Sequence, residues 1–413
     1  MRWLLWTMIA MAALNVARGQ VRLPGVPLPA LPRPLQAVGQ TADNTLAQLS
    51  DLRHLQISRL LRANPHALAA DPHGNPIVRD ELLAFSPTET AMKAALGLGF
   101  RNLREQNNPE LDVHLVVLQP PPGWELGKAL HRLRESDTGG SYDYNHIYLG
   151  SGVSPISPVS PATPSPANAG VAGARAVARI GLVDSGIDLS HPVFRGSQIH
   201  TWGCADRPVA STHGTAVASL LTGRGAGELY AADVYCGRPT GGAVDALAAA
   251  FAWLAQQQVA VINVSLVGPD NATLAQVVRA LTSRGFLLVA AVGNDGPAAP
   301  PLYPASYPRV VGVTAVDAHR RVLIEAARGN QVMFAAMGAD MVAADNGGKY
   351  SPVRGTSFAA PIVAVLLARG LAAPDIEGSE AAVQELARRA IDLGPPGRDL
   401  TYGYGLVGEA VKE

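Results

Sequence analysis

Four polar residues of this chain have types and positions that permit covalent chemistry: Asp184, His213, Asn294 and Ser357. Asp184 ends the apolar run of "IGLVDSGID", and Asn294 follows another in "AAVGNDG". His213 stands in "STHGTAVASLL", where a loop enters an apolar helix that Ser211 or Thr212 caps, with Gly214 leaving room beside the ring. Ser357 opens "TSFAAPIVAVLLARG", with Pro361 expected in a first turn whose amides lack internal partners. Singly, each has an ordinary structural explanation: Asp and Asn-Asp-Gly make turns, and histidines at helix starts are commonly packed in. Together they supply an acyl-transfer apparatus. A serine attacks a carbonyl, a histidine takes and returns its proton, and a carboxylate orients and stabilises the imidazolium. An asparagine amide and the serine's own N–H hold the oxyanion, aided by the positive end of the helix that starts there.

Such residues need a scaffold that brings them to one edge. From about 172 to 413 the chain alternates short apolar runs with helical patterns. "ARIGLVDSG", "LYAADVYCG", "VAVINVSLVG", "FLLVAAVGND" and "RVVGVTAVD" read as buried strands. "TAVASLLTG", "AVDALAAAFAWLAQQQ" and "ATLAQVVRALTSR" read as the helices between them. That alternation predicts an α/β domain with a mostly parallel sheet covered on both faces. Sites in such sheets lie at the carboxyl ends of the strands, where all four residues fall.

A smaller unit precedes it, over residues 75–150, in the order strand, helix, two strands, helix, strand. Ser86-Pro87-Thr88-Glu89 reads as a helix start with Ser86 as cap, and Asn107-Asn108-Pro109 as a turn. The order predicts a small α+β (ferredoxin-like) sandwich with helices on one sheet face. It groups no nucleophile, base and orienter, so by residues alone it is a binding or folding unit. Pro-rich stretches flank it: residues 20–74 combine a linker and a helical segment, and 151–171 form a second linker.

The bulk numbers narrow the function. The 413 residues carry 33 basic and 33 acidic side chains, which argues against a dedicated nucleic-acid binder. Residues 1–19 have Arg2, an uncharged apolar run and Ala17-Arg18-Gly19, the layout of a signal peptide. That run is shorter than the ~20 residues of a membrane span, so a protein exported to the periplasm or beyond, with no span after maturation, is expected. Two cysteines, Cys204 and Cys236, are too few for a disulfide scaffold and are read either as buried thiols or as one bridge.

The segments "VDSGID", "HGTAVAS", "VINVSLVGP", "AAVGNDG" and "GTSFAAP", with "YGYGLV" near the end, resemble in order the signature segments of subtilisin-like serine proteases. The order Asp, His, Ser is that of subtilisin itself, so it belongs to the resemblance and is not an independent derivation. The resemblance implies a three-layer domain over 172–413 and a serine endopeptidase acting on proteins or peptides, expected as a monomer. It assigns Asp184, His213 and Ser357 as triad, Asn294 as oxyanion donor, and Ser265, Leu266, Val267 and Gly268 as the substrate-binding strand. Residues 75–150 then look like an inhibitory propeptide, with "YDYNHIYLG" lying in the cleft as a product-like strand. Cys204 and Cys236 end strands that would be neighbours in the family's sheet, which favours the bridge.

Two departures bear on specificity and cofactors. The family's strand usually reads Ser-Leu-Gly-Gly, whereas this chain has "SLVGP"; Val267 is expected to narrow the pocket toward small residues just before the cleaved bond. Many relatives bind structural calcium; no acidic loop here has calcium-site spacing, but backbone carbonyl ligands leave no sequence trace, so calcium is unsupported rather than excluded. No Cys/His spacing suggests zinc, and no other cofactor is expected. The sequons at Asn263 and Asn271 are read as chance. A serine esterase of the α/β-hydrolase type would need Gly-x-Ser-x-Gly and the order Ser, acid, His. Ser357 sits in Gly-Thr-Ser-Phe-Ala and comes last. A catalytically silent relative kept as a binding module would not label with a fluorophosphonate.

Overall fold

The computed structural model describes residues 42–150, 152–153, 179–224 and 227–409. The expected signal segment and most of the two Pro-rich stretches lie outside them. The chain divides into two units, Met1–Asn44 and Thr45–Glu413; the account below concerns the second.

Seven strands form a parallel sheet in the order Val332–Met337, Val311–Val316, Leu287–Ala291, Val261–Val264, Arg179–Asp184, Glu228–Asp233, Gln198–Trp202. Successive side chains of a strand face opposite ways, so an unbroken apolar run must have a core on each side. Ile180, Leu182, Leu229, Ala231, Val289 and Val313 enter one core with helices Thr212–Thr222 and Thr356–Ala368. Val183, Ala232, Ile262, Val264, Leu288 and Ala290 enter another with helices Val244–Gln256 and Ala272–Thr282. The result is the expected three-layer α/β domain.

The unit before it is a four-strand antiparallel sheet, ordered Ser141–Gly150, Pro76–Phe85, Val113–Gln119, Arg101–Asn108, with Leu68–Ala70 added beside Pro76–Phe85. Leu82, Ala84, Val116 and Leu118 face its own helices, Glu89–Gly97 and Leu126–Ser136. The alternate residues Leu83, Leu115 and Val117 join the core built on helices Val244–Gln256 and Ala272–Thr282. The sheet thus has one face for itself and one for the larger domain. Polar contacts fix the register of this docking. Asp143 accepts from the N–H of Ala272 at 2.6 Å, at a helix start where amides lack internal partners. Arg104 bridges Glu81 and Asp245, and Asn145 donates to both of the same carboxylates at 2.8 and 2.9 Å.

Several local expectations are corrected. Thr88, not Ser86, caps helix Glu89–Gly97, accepting from Ala91 N at 3.1 Å, while Ser86 adopts φ +43 in the bend before it. Ser211 occupies the cap position of Thr212–Thr222 without a side-chain cap bond. Pro361 is the sixth residue of Thr356–Ala368, beyond the first turn, so the carbonyl of Ser357 loses its helical partner. The Ser265 hydroxyl donates to that carbonyl at 3.1 Å and replaces the missing bond. Strands Val332–Met337, Met341–Asp345 and Lys349–Gly355 and helix Ile376–Arg389 complete the domain.

Cys204 and Cys236 follow neighbouring parallel strands and are bonded, with Cα atoms 5.1 Å apart. Together with Asp233 they form the cluster whose ligand atoms lie close enough for a metal among the described residues, but the S–S bond takes both thiolates out of it. Asn263 and Asn271 are 0% and 1% exposed, which leaves no room for a glycan on either. Among the described residues no helix is long and apolar enough to cross a membrane.

Candidate active site

Asp184 is the last residue of the central strand Arg179–Asp184 and is fully buried. Burying a carboxylate requires donors around it. Its Oδ1 accepts from Ser185 N at 2.7 Å, Ser185 Oγ at 3.0 Å and His213 Nδ1 at 2.8 Å. His213 is the second residue of helix Thr212–Thr222, and Gly214 lets that helix start against the strand's exit: a Cβ there would lie 2.1 Å from the carbonyl of Ser185. The function of Gly214 is thus close backbone approach.

With Asp184 holding Nδ1, the Nε2 edge of His213 is left for chemistry. Burial alone would lower the His213 pKa, but the Asp184 charge and hydrogen bond outweigh it and hold the imidazole above its ordinary value. The ring also lies 5.6 Å, centroid to centroid, from that of Phe358, the neighbour of Ser357.

Ser357 is the second residue of helix Thr356–Ala368 and is fully buried. Its hydroxyl donates to the carbonyl of Ser265 at 3.2 Å, and Ser265 Oγ returns a bond to its carbonyl. Asn263, 0% exposed, donates to Ser265 Oγ at 3.0 Å, so a buried relay runs from the central sheet to the serine. Asn294 accepts from Thr356 N at 3.1 Å through Oδ1. Its Nδ2, like His213 Nε2 and Asp184 Oδ2, is buried with no hydrogen-bond partner among the described residues. Buried polar atoms are normally satisfied, so unspent groups on the Asp184–His213 pair and on Asn294, bonded to the start of the Ser357 helix, mark a candidate site.

Ser265, Leu266 and Val267 are buried and Gly268 bridges Tyr303. Leu266 and Val267 pair antiparallel with Gly150 and Leu149, and Gly242 and Ala243 pair with Tyr148 and Ile147 on the other side. The end of Ser141–Gly150 therefore lies as a middle strand between two edges of the larger domain. The Tyr148 ring is fully buried, and a Cβ on Gly268 would lie 2.8 Å from it. Beyond the site, Gly152 and Val153 pair with Gly355 and Arg354. Segments of the same chain therefore pair along Leu266–Val267 on one side of the site and along Arg354–Gly355 on the other.

Sequence reasoning missed Asn263, Ser185 and Tyr235, whose hydroxyl accepts from Gly150 N at 2.6 Å. Asn263 and Ser185 left a signal, as polar residues in or just after buried strands. Tyr235 left none, because its partner is 85 residues away.

Replacing Asn294 by alanine removes the unspent amide. If Nδ2 holds the oxyanion, kcat falls about 10²–10³-fold with KM nearly unchanged, a magnitude carried over from subtilisin itself. Steady-state kinetics on one peptide substrate separates this from a binding defect, which would raise KM instead.

These features have counterparts in known proteins. The model described as Subtilase family matches residues 177–405. The minor extracellular protease Epr of Bacillus subtilis (strain 168) is 29% identical over 244 residues, 55% of this chain and 37% of that protein. This chain thus spans well under half of Epr. Subtilisin BL of Lederbergia lenta is 32% identical over 199 residues, 45% of this chain and 73% of that protein. The crystal structure of fervidolysin from Fervidobacterium pennivorans matches with TM-score 0.62 at 19% identity, over 80% of this chain and 60% of that one, a likeness of fold. With the family match spanning more than half of its length, the chain belongs to the subtilase family.

Proposed function

We propose that this protein is an exported serine endopeptidase, made as a zymogen, that hydrolyses peptide bonds through an acyl-enzyme. The supporting observation is the Asp184–His213 pair at 2.8 Å, with Nε2 unspent, in a cleft crossed by a strand of the same chain. Ser357 Oγ attacks the substrate carbonyl while its proton passes to His213 Nε2, and Asp184 stabilises the imidazolium. Asn294 Nδ2 and the Ser357 N–H hold the oxyanion in a buried setting where such bonds are strong. The imidazolium protonates the leaving amine, and water, deprotonated by the same imidazole, releases the acyl group. Relatives named as extracellular protease and subtilisin support the activity and the export.

Residues 75–150 act as the propeptide, an inhibitor held by its apolar sheet face and by the strand lodged in the cleft. Main-chain pairing on both edges gives affinity that does not depend on side chains. One residue, Ser151, separates Gly150, paired with Leu266, from Gly152, paired with Gly355; it lies outside the described residues. Ser265, the residue before Leu266, carries the carbonyl that receives the Ser357 hydroxyl, so the nucleophile stands one step beyond the Leu266–Gly150 pair. Cleavage therefore falls after Ser151. A serine there also agrees with a pocket that Val267 narrows toward small residues.

Mass spectrometry of the purified full chain during maturation checks this. The released fragment is expected to end at Ser151. A first cut elsewhere would overturn the register, and a chain that stays intact would overturn the zymogen reading.

A further inference from the structure

We infer that Tyr235 is a specificity-determining residue: its hydroxyl receives the main-chain N–H two residues before the cleaved linkage, so the enzyme disfavours proline and other N-substituted residues at that place. The inference rests on the protease reading and deepens it.

Gly150 occupies that place in the chain's own cleft segment. It pairs with Leu266, and a Cβ built on it would sit 3.4 Å from His213 Nε2, in ordinary contact with the imidazole. Its N–H donates to Tyr235 Oη at 2.6 Å. The Gly242–Ala243 edge covers only Tyr148 and Ile147, so the N–H of Gly150 lies past that edge and needs a separate acceptor. Here a side chain supplies it.

The turn that carries Tyr235 is held rigidly enough to make such a contact specific. Asp233, the last residue of strand Glu228–Asp233, accepts from the N–H groups of Tyr235 and Cys236 through Oδ1, both at 2.9 Å. Arg238 N donates to the Tyr235 carbonyl at 2.9 Å. The next residue, Cys236, is bonded to Cys204. The ring packs against the apolar core of the larger domain. Burial first, then the charges of Asp184 and Asp233, push the phenol pKa up, so the group stays neutral beside His213 and keeps a lone pair for the amide. An N-substituted residue has no N–H to give and would leave that oxygen facing carbon.

The test uses two fluorogenic peptides, Ac-Ile-Tyr-Leu-Gly-Ser with an aminomethylcoumarin leaving group and the same peptide with N-methylglycine replacing glycine. Both are offered to matured wild-type and Tyr235→Phe enzymes. The wild type is expected to prefer the N–H peptide, and Tyr235→Phe to lower kcat/KM on it by about 2- to 13-fold, the net worth of one hydrogen bond. On the N-methyl peptide the two enzymes should agree within about twofold, because the coupling, not either single effect, isolates the bond. Fluorophosphonate labelling, which does not use the hydroxyl, reports that the variant is folded. A wild type that cleaves both peptides equally well, or a variant that loses the same factor on both, would overturn the role of Tyr235. If the wild type cleaves neither but still labels, the substrate register is wrong and the role goes with it. Absence of labelling as well would remove the protease reading itself.

Discussion

A Ser357→Ala chain, purified alone, stays full length. The hydroxyl is the only atom of the proposed apparatus able to form the acyl bond, and alanine leaves the backbone N–H, Asn294 and the Asp184–His213 pair in place. Its structural cost is modest: the change takes a donor from the buried Ser265 carbonyl, about 1–3 kcal/mol. The catalytic cost is not. Subtilisin itself loses roughly 10⁶-fold in kcat when its nucleophile is removed, and the same order is expected here. The precursor should keep its cleft segment and resist maturation, followed by gel and intact mass over days. Wild-type enzyme added in trans should still process the variant slowly. A purified variant that matures at the wild-type rate would show that another group performs the cleavage.

Asp184→Asn is the second large loss, about 10⁴-fold in kcat. The carboxylate accepts from Ser185 N and Oγ as well as His213 Nδ1. All three bonds meet at one oxygen, so asparagine either keeps them without the charge that stabilises the imidazolium, or flips and turns its NH₂ toward Nδ1. In the flipped form a donor forces the imidazole proton onto Nε2, the atom that must accept the serine proton. In either orientation the variant folds and is a poor base. The pH profile gives an independent check. His213 must be neutral to work, and its pKa is raised, because the Asp184 charge outweighs burial. Activity is therefore present above that pKa and falls as pH drops through it, with a midpoint in kcat/KM above the ordinary ~6.5. In Asp184→Asn the charge is gone and burial remains, so the midpoint of the residual activity moves down. An unmoved midpoint would mean that Asp184 does not face the titrating base.

The main lines of this site were legible in the sequence because they are local. A buried strand ending in Asp184, a helix opening on His213 and another opening on Ser357 each announce themselves within about ten residues, and the parallel-sheet rule brings them to one edge. What stayed hidden depends on distant pairings. Pro361 reads as a first-turn residue until the helix is seen to begin at Thr356, and the bond that compensates it comes from Ser265, 92 positions before Ser357. Thr88 rather than Ser86 caps its helix because Ser86 adopts φ +43 in the bend before it. Val267 stood out as a departure from a family pattern, but its partner, Leu149, comes from the preceding unit. Tyr235 had no pattern to depart from. Its role exists only where the turn after Glu228–Asp233 meets the end of Ser141–Gly150.

The central claim is that Ser357 is a nucleophile activated by His213 and Asp184. Labelling of the matured protein with a fluorophosphonate, followed by peptide mapping, tests it most directly. One adduct per chain on the peptide carrying Ser357 is predicted, with none in Ser357→Ala and slow labelling in Asp184→Asn. A matured wild type that takes up no label, or takes it up on another serine, would contradict the account.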